Sequence, residues 1–189
     1  SHGEKSLTEF VKTLGFDIVE NDRKTLNGKE LDILIPTKNV AIEYNGLYYH
    51  SELFIDKNAH LNKTIKCEEK GIRLIHIYED EWNFKREICE SIIKSSLGIY
   101  EEKIFARKCE IKEIETEVYR KFLNENHLQG YAPSRHKLGL FHNNKLVQCI
   151  GIAPSRYTKN EYELVRLCTL KNTQIIGGFS RLVKNACKK

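Results

Sequence analysis

Apolar positions in the first part of the chain repeat with the spacing of a helix. The apolar residues between Leu7 and Leu14 fall on one stripe and predict a helix over Glu4–Leu14, which the following glycine ends. Glu4 lies three residues before Leu7, so the same pattern places a carboxylate on the apolar stripe of this helix. A carboxylate is unexpected at such a position, because buried positions are seldom charged.

Short alternating runs and longer helical runs continue up to about residue 98. The predicted elements are strands over Leu31–Ile35 and Val40–Tyr44, a helix over Asp56–Lys70, a strand over Ile72–Tyr78, and a helix over roughly Asn83–Leu97 capped by the acidic cluster Glu79–Glu81. This order of elements is typical of a compact α/β unit.

The pattern changes beyond Tyr100, where strands predominate. The predicted elements are a helix over Glu113–Asn126, strands over Leu138–His142, Lys145–Ala153 and Tyr162–Leu170, and a final helix from Phe179 after the pair Gly177-Gly178. We therefore predict an α/β domain over residues 3–102, followed by a smaller α+β module over residues 103–189.

Composition places the chain among globular proteins. Its 189 residues are 40% hydrophobic and 30% charged, and no apolar run approaches the length of a membrane span. There is no sign of a signal peptide, and the pair Ser1-His2 looks like the remnant of a cleaved tag. The six cysteines are scattered singly, so we expect free thiols, a cytoplasmic location and no membrane partner.

Charge is distributed unevenly between the two halves. Residues 1–102 carry 14 Lys and Arg against 19 Asp and Glu, whereas residues 103–189 carry 17 against 7. A basic half favours contact with a polyanion, and a merely solvated basic surface is the alternative that charge alone leaves open.

Three acidic residues interrupt apolar patterns, namely Glu4 on the first helix, Asp32 within one strand and Glu43 near the end of the next. Two carboxylates about 4 Å apart repel each other by roughly 4 kcal/mol at an effective dielectric constant near 20. A fold tolerates this if the acids lie far apart, if one is protonated, or if a cation lies between them. Oxygen ligands of this kind suit Mg²⁺ or Mn²⁺, and such an ion activates water beside a phosphate.

Histidines and a lysine follow these acids. His50 comes after the strand break at Asn45-Gly46, where it would be able to protonate a leaving oxygen. His60 and Lys63 are three residues apart on a predicted helix and share a face, and Lys63 would be able to neutralise phosphate charge. Taken singly, each of these residues is more often structural than catalytic.

The combined string of motifs is more specific. It consists of Glu30–Pro36, Ala41–Ser51, His60–Lys63, Gly71–Ile77 and Glu79–Trp82. Over residues 3–98 it resembles phage-encoded homing endonucleases related to the very-short-patch mismatch-repair nuclease, a branch of the PD-(D/E)XK superfamily described by an EDxHD motif. The resemblance implies a restriction-endonuclease-like mixed sheet flanked by helices, double-stranded DNA as substrate and Mg²⁺ or Mn²⁺ as cofactor.

The resemblance also implies roles for individual residues. Asp32 matches the central metal-binding aspartate, Glu43 matches the second acid, and Glu4 matches the acid of the first helix. His50 matches the histidine after the aromatic pair of the mismatch-repair branch.

One position departs from the superfamily pattern. The superfamily's lysine two residues after the second acid is Asn45 here, where the mismatch-repair branch has a histidine. We therefore include Asn45 among the candidate catalytic residues with His60, and Lys63 is the candidate for a lysine that has moved to the next helix.

The second module has two interpretations. Gly177-Gly178 before a helix leaves free amides that suit an anion, and the order of elements is weakly similar to acetyltransferases of the GNAT class. The alternative is that the glycines only shape a tight turn. A GNAT-like module that binds DNA is the interpretation we prefer, with phosphate contacts from Arg135, Lys137, Arg156, Lys159, Arg181 and Lys184.

Three functions remain open from the sequence. The first is a Mg²⁺-dependent endodeoxyribonuclease of the homing or site-specific type, located in the cytoplasm of a host cell if it is phage-encoded. The second is a GNAT-like group transferase that acts on DNA. The third is a non-catalytic DNA-binding protein with a decayed nuclease core. A double-strand break by the first would need a homodimer or two sequential nicks.

Overall fold

The computed structural model describes residues 1–46 and 57–187, which form two compact units, Ser1–Cys89 and Glu90–Lys189. The domain boundary between residues 102 and 103 stays a prediction from composition. Within the described ranges, no helix is both long and apolar enough to cross a membrane. All six cysteines are free thiols, and five of them are buried.

The first unit contains a four-stranded sheet with helices. Its elements in chain order are α1 (His2–Thr13), β1 (Val19–Leu26), β2 (Lys29–Ile35), β3 (Val40–Asn45), α2 (Lys57–Glu69), β4 (Arg73–Tyr78) and α3 (Glu79–Phe84), and α4 (Arg86–Ser96) begins in this unit and ends in the second. A mixed sheet with helices was expected from the sequence, and the structure confirms it.

The strand order is β1-β2-β3-β4, with antiparallel pairing up to β3 and parallel pairing between β3 and β4. A short 3₁₀ turn, Pro36–Lys38, joins β2 to β3, and Asn39 after it takes a left-handed conformation with φ 52°. Parallel neighbours need a longer crossover connection, and helix α2 lies in the connection from β3 to β4.

One face of this sheet carries an apolar row with a polar row beside it. Leu34, Ala41 and Leu74 occupy matching positions on β2, β3 and β4, and they pack with Cys67 of helix α2. Side chains two residues apart on a strand share a face. Asp32, Glu43 and His76 therefore form the next row on the face that α2 covers.

Two predictions for the first unit are corrected. Strand β1 was not predicted, because it lies at the sheet edge and is largely exposed, so its sequence shows no alternation. The helix predicted over roughly Asn83–Leu97 is present as α4 but begins later, at Arg86, because a separate helix α3 ends at Phe84 and the chain breaks at Lys85. The acidic cluster Glu79–Glu81 forms the first turn of α3, where acidic side chains interact favourably with the helix dipole.

The second unit is a mixture of strands and helices, as expected. Its elements are β5 (Glu102–Phe105), β6 (Glu110–Glu113), α5 (Thr116–Asn126), β7 (His136–His142), β8 (Lys145–Pro154), β9 (Tyr162–Thr169), β10 (Thr173–Ile176) and α6 (Gly178–Ala186). Strands β6-β7-β8-β9 form an antiparallel sheet, and β10 pairs in parallel with β5.

The three longer strands and both helices of this unit confirm the predicted elements to within a few residues. The predicted helix start at Glu113 is wrong, because Glu110–Glu113 forms strand β6 and the helix begins at Thr116. The short strands β5, β6 and β10 were not predicted, since four residues give too little pattern to detect.

Candidate active site

The antiparallel ladder between β2 and β3 ends at the pair Ile33–Ile42, and two carboxylates follow it. The backbone amide of Asp32 donates to Oε1 of Glu43 at 3.3 Å, and the backbone amide of Tyr44 donates to Oδ2 of Asp32 at 2.8 Å. Each acid thus accepts a backbone donor of the neighbouring strand. The structure therefore places Asp32 and Glu43 side by side.

Helix α2 adds a lysine to this pair. Lys63 lies one turn before Cys67 on the helix stripe that faces the sheet, and Cys67 is buried in the apolar row. The Nζ atom of Lys63 lies 2.5 Å from Oε2 of Glu43, and the side chains are only 17% and 9% exposed. Lys63, the predicted replacement for the superfamily's lysine, is thus bonded to Glu43.

Burial dominates the electrostatics of the two acids. Desolvation raises the pKa of Asp32, and the Tyr44 amide and the Lys63 charge oppose this shift. Desolvation also raises the pKa of Glu43, against a hydrogen bond from Lys63, and the charge of Asp32 raises it further. The carboxylates are therefore held in a place where their ionised forms are costly unless a cation is near.

A second polar chain lies beside the acids. His76 is the register partner of Glu43 on strand β4. Its Nδ1 atom lies 3.2 Å from Nδ2 of Asn45, and its Nε2 atom lies 3.1 Å from Oγ1 of Thr64. Burial lowers the pKa of His76, with further contributions from the charges of His60 and Lys63.

His76 and Thr64 were not among the residues suggested by the sequence. A usable signal was present, because a histidine interrupts the alternating strand Arg73–Tyr78 just as Asp32 interrupts its own strand. Asn45 is only 7% exposed and its side chain points to His76, so its described contact lies within this polar chain.

Two further histidines, His60 and His50, were predicted as site residues. The ring of His60 stands edge-on to that of His76, with 5.4 Å between their centroids, and its carbonyl oxygen accepts a hydrogen bond from Thr64. His60 therefore lies beside the polar chain. His50 lies outside the described residues.

Glu4 lies at the edge of the site. The residues that α1 buries are Leu7, Thr8 and Val11, whereas the Glu4 side chain is 36% exposed and accepts from the amino group of Ser1 at 3.0 Å. The expected position on the buried stripe is therefore wrong. The charge of Glu4 nevertheless contributes to raising the pKa of Asp32.

The described side chains around Asp32 and Glu43 offer few ligands for a divalent ion. Residues 1–46 and 57–187 contain no group of three or more His, Cys, Asp or Glu side chains arranged to hold a metal ion. Mg²⁺ is commonly bound by one or two carboxylates together with water and substrate phosphate. The two carboxylates of Asp32 and Glu43, which lie on neighbouring strands and share one lysine, fit that donor set.

The six basic residues of the second unit that were predicted to contact phosphate divide into two groups. The guanidinium of Arg181 donates to the carbonyl oxygens of Ala106 and Cys109, so this side chain supports the local backbone. Lys137 donates to a backbone carbonyl at 3.4 Å. Exposed side chains make up the other group, which consists of Arg135, Arg156, Lys159 and Lys184, with Arg156 lying 3.6 Å from Glu163.

Backbone conformation and close packing require glycine at positions 177 and 178. Gly177 has φ 77° at the start of α6, a conformation that residues with a side chain adopt only with strain. A Cβ atom on Gly178 would clash with Oε1 of the buried Gln148. Turn geometry and close packing therefore account for both glycines.

The chain has partial similarity to one known catalytic domain. No family model matches the sequence, and no curated protein matches it. Among solved structures, the chain is similar to the catalytic domain of the homing endonuclease I-Bth0305I, with 24% identity over 49% of this chain and 90% of that domain and a TM-score of 0.40. A likeness of this size assigns neither a family nor a function to the chain.

Proposed function

We propose that the chain is a metal-dependent endodeoxyribonuclease whose reacting groups are Asp32, Glu43 and Lys63. The observation that carries this proposal is the arrangement of two neighbouring carboxylates, half-buried Asp32 and buried Glu43, with a lysine bonded to Glu43. Hydrolysis of a phosphodiester needs a counter-charge for the phosphate and an activated water. The two carboxylates supply ligands for a divalent ion, and Lys63 supplies a further positive charge beside it.

Asp32 and Glu43 are the residues that would hold Mg²⁺ or Mn²⁺. When bound, the ion supplies an activated water and stabilises the negative charge of the scissile phosphate. The chain itself contributes orientation, because the amides of residues 32 and 44 fix one oxygen of each carboxylate. Glu4 lies close enough to influence the charge of Asp32, and we propose that it tunes the site from its edge.

Lys63 has the features of a phosphate-binding group. Its ammonium has three donors, and one of them is used on Glu43. Donors that remain would be able to bind a phosphate oxygen and offset charge that develops during cleavage. Its contact with Glu43 holds the ammonium beside the carboxylates, where Asn45 replaces the lysine of the usual pattern.

The basic second unit would hold the duplex. Support comes from its charge and from the exposure of Arg135, Arg156, Lys159 and Lys184. Exposed Lys and Arg side chains bind DNA phosphates and release counterions. Lys137 and Arg181 were also predicted as phosphate contacts from the sequence, but both donate to backbone carbonyls, so we propose a structural role for them and phosphate contacts for the four exposed side chains.

The motif string of residues 41–51 and its downstream pattern support the finer proposal of a site-specific enzyme of the homing type. Cutting of both strands would then proceed through a homodimer or through two sequential nicks. Sedimentation of the protein with and without duplex DNA would distinguish these two routes.

A plasmid assay tests the proposed reaction. Supercoiled DNA is incubated with the protein and Mg²⁺, Mn²⁺ or EDTA, and nicked and linear products are measured over time. We expect cleavage with either divalent ion, none with EDTA, and none above background for Asp32→Ala. Cleavage by Asp32→Ala at the wild-type rate would contradict the proposal, and tight binding without turnover under every ion would indicate a non-catalytic DNA-binding protein.

A further inference from the structure

We propose that His76 is a positioning residue that aims Lys63 at Glu43, by tying helix α2 to strand β4 through Thr64. The inference rests on the proposed nuclease function, since Lys63 is one of its reacting groups. The observations that carry it are the direction of the hydrogen bonds around His76 and the places of Thr64 and Glu43 in the fold.

The hydrogen bonds fix which ring nitrogen carries the proton. The single hydroxyl hydrogen of Thr64 is used on the carbonyl oxygen of His60 at 3.0 Å. Oγ1 of Thr64 must therefore accept from His76, so the proton is on Nε2. Nδ1 of His76 is then an acceptor, and it accepts a hydrogen bond from the side-chain amide of Asn45. Donors thus run in one direction, from Asn45 through His76 and Thr64 to the backbone of α2.

This chain joins the helix and the sheet at the level of the active site. Thr64 is adjacent to Lys63 on α2, and His76 is the register partner of Glu43 on the neighbouring strand. A bond between His76 and Thr64 therefore links the turn of helix that carries the lysine to the sheet position that carries the acid. Loss of this bond would displace Lys63 relative to Glu43.

The other described contacts that hold helix α2 against the sheet are apolar. Cys67 packs among Leu34, Ala41 and Leu74, which holds α2 against the sheet without specifying its rotation closely. Hydrophobic contact is non-directional, whereas a hydrogen bond specifies distance and angle. Asn45 is buried and keeps the His76 ring in its orientation, so the polar chain supplies the direction that the apolar contact lacks.

Kinetics of matched variants test this assignment. Thr64→Val removes the acceptor with little change in shape, and Thr64→Ser restores it. His76→Asn offers a group at the Nδ1 position alone, and His76→Gln offers one near the Nε2 position. Single-turnover plasmid nicking at saturating protein is measured with Mg²⁺, and DNA affinity is measured with EDTA. A thermal melt of each variant reports whether it is folded.

We expect Thr64→Val and His76→Asn to slow the cleavage step about 10-fold to 100-fold with unchanged DNA affinity, as is typical for residues that orient reacting groups. Thr64→Ser and His76→Gln should recover most of the rate. Thr64→Val should cost nothing further in a Lys63→Met background, since both changes remove the same positioned ammonium. Wild-type rates in Thr64→Val, or full additivity with Lys63→Met, would overturn the inference.

The protonation site offers a readout that does not depend on activity. In ¹⁵N-resolved spectra of the imidazoles near neutral pH, His76 should carry its proton on Nε2 in the wild type and lose this preference in Thr64→Val. A proton on Nδ1 in the wild type would overturn the inference. A wild-type protein with the expected spectrum but no divalent-dependent nicking would instead overturn the proposed nuclease function.

Discussion

The two units of this chain use their charged groups in different ways. In Ser1–Cys89 half-buried Asp32 and buried Glu43 lie together beside Lys63, and desolvation raises the pKa values of both acids. In Glu90–Lys189 the six candidate basic side chains either donate to backbone carbonyls, as Arg181 and Lys137 do, or are exposed. Chemistry is expected where charges are few, buried and coupled, and general affinity for a polyanion is expected where they are many and solvated.

The variant with the largest expected effect on this contrast is Asp32→Asn. The change removes a negative oxygen ligand and should lower the cleavage rate at least about 1,000-fold, since a bound ion supplies several kcal/mol of charge stabilisation. The free energy of unfolding should rise, because the partly desolvated carboxylate of Asp32 is costly to ionise in the folded state. Single-turnover nicking and urea denaturation measure the two effects, and equal losses of rate and stability would contradict a specific catalytic role.

Lys63→Met tests the second positive charge of the site, with Lys66→Met as the matched control. Both lysines are on α2, but Lys63 is largely buried against Glu43 and Lys66 is exposed. We expect a loss of about 100-fold in cleavage for Lys63→Met, in the range found for the removal of a single stabilising donor. Nicking at saturating protein should be nearly unchanged for Lys66→Met, and equal effects of the two changes would remove Lys63 from the mechanism.

Lowering the pH should affect activity and stability in opposite directions. Cleavage needs ionised carboxylates, so below the raised pKa values of the Asp32–Glu43 pair the rate should fall by about tenfold per pH unit. The contribution of the pair to stability should grow over the same range, because a group whose folded pKa is raised stabilises the fold below its unfolded pKa and loses this as pH rises through the folded pKa.

The measurements are rate profiles and urea titrations across the acidic range, in wild type and in Asp32→Asn. The variant should show a smaller pH dependence of stability than the wild type. A cleavage profile that falls only in the range of an ordinary exposed carboxyl group would contradict the electrostatic description of the site.

The smallest expected effects are in the second unit, where Arg135→Gln with Lys159→Gln is compared with Arg181→Gln. The double variant removes two exposed charges and should weaken DNA binding several-fold, with the slope of log affinity against log salt reduced by about 1.8. Arg181→Gln removes the donors to Ala106 and Cys109 and should lower the free energy of unfolding by about 2 kcal/mol. Fluorescence anisotropy at several salt concentrations and thermal melts measure both, and the reverse pattern would exchange the roles assigned to these residues.

Local patterns accounted for most of the fold. The longer strands, such as β3 and β8, alternate clearly, and helices α1 and α2 show a stripe or a closing glycine. Edge strand β1 and the short strand β10 were missed, because exposure or brevity removes the alternation on which such predictions depend. The break at Lys85 was also missed, since the sequence around it continues to favour a helix.

Local sequence patterns predicted only some of the residues of the candidate site. Asp32 and Glu43 were found because each interrupts an apolar pattern within its own strand. The position of Glu4 was wrong, because its side chain lies at the edge of the α1 stripe and is partly exposed. His76 and Thr64 were missed, since their contact joins a helix to a strand twelve residues later in the sequence.

The sequence by itself determined the type of most elements, the uneven distribution of charge and the residue types available for chemistry, because these depend on local spacing and composition. The tertiary structure decided which of these residues meet. Pairing register placed Asp32 beside Glu43 and Glu43 beside His76, and the packing of Cys67 brought Lys63 and Thr64 onto the same row. Register and helix packing are set by contacts between distant segments, whose free energy is not contained in any short stretch of sequence.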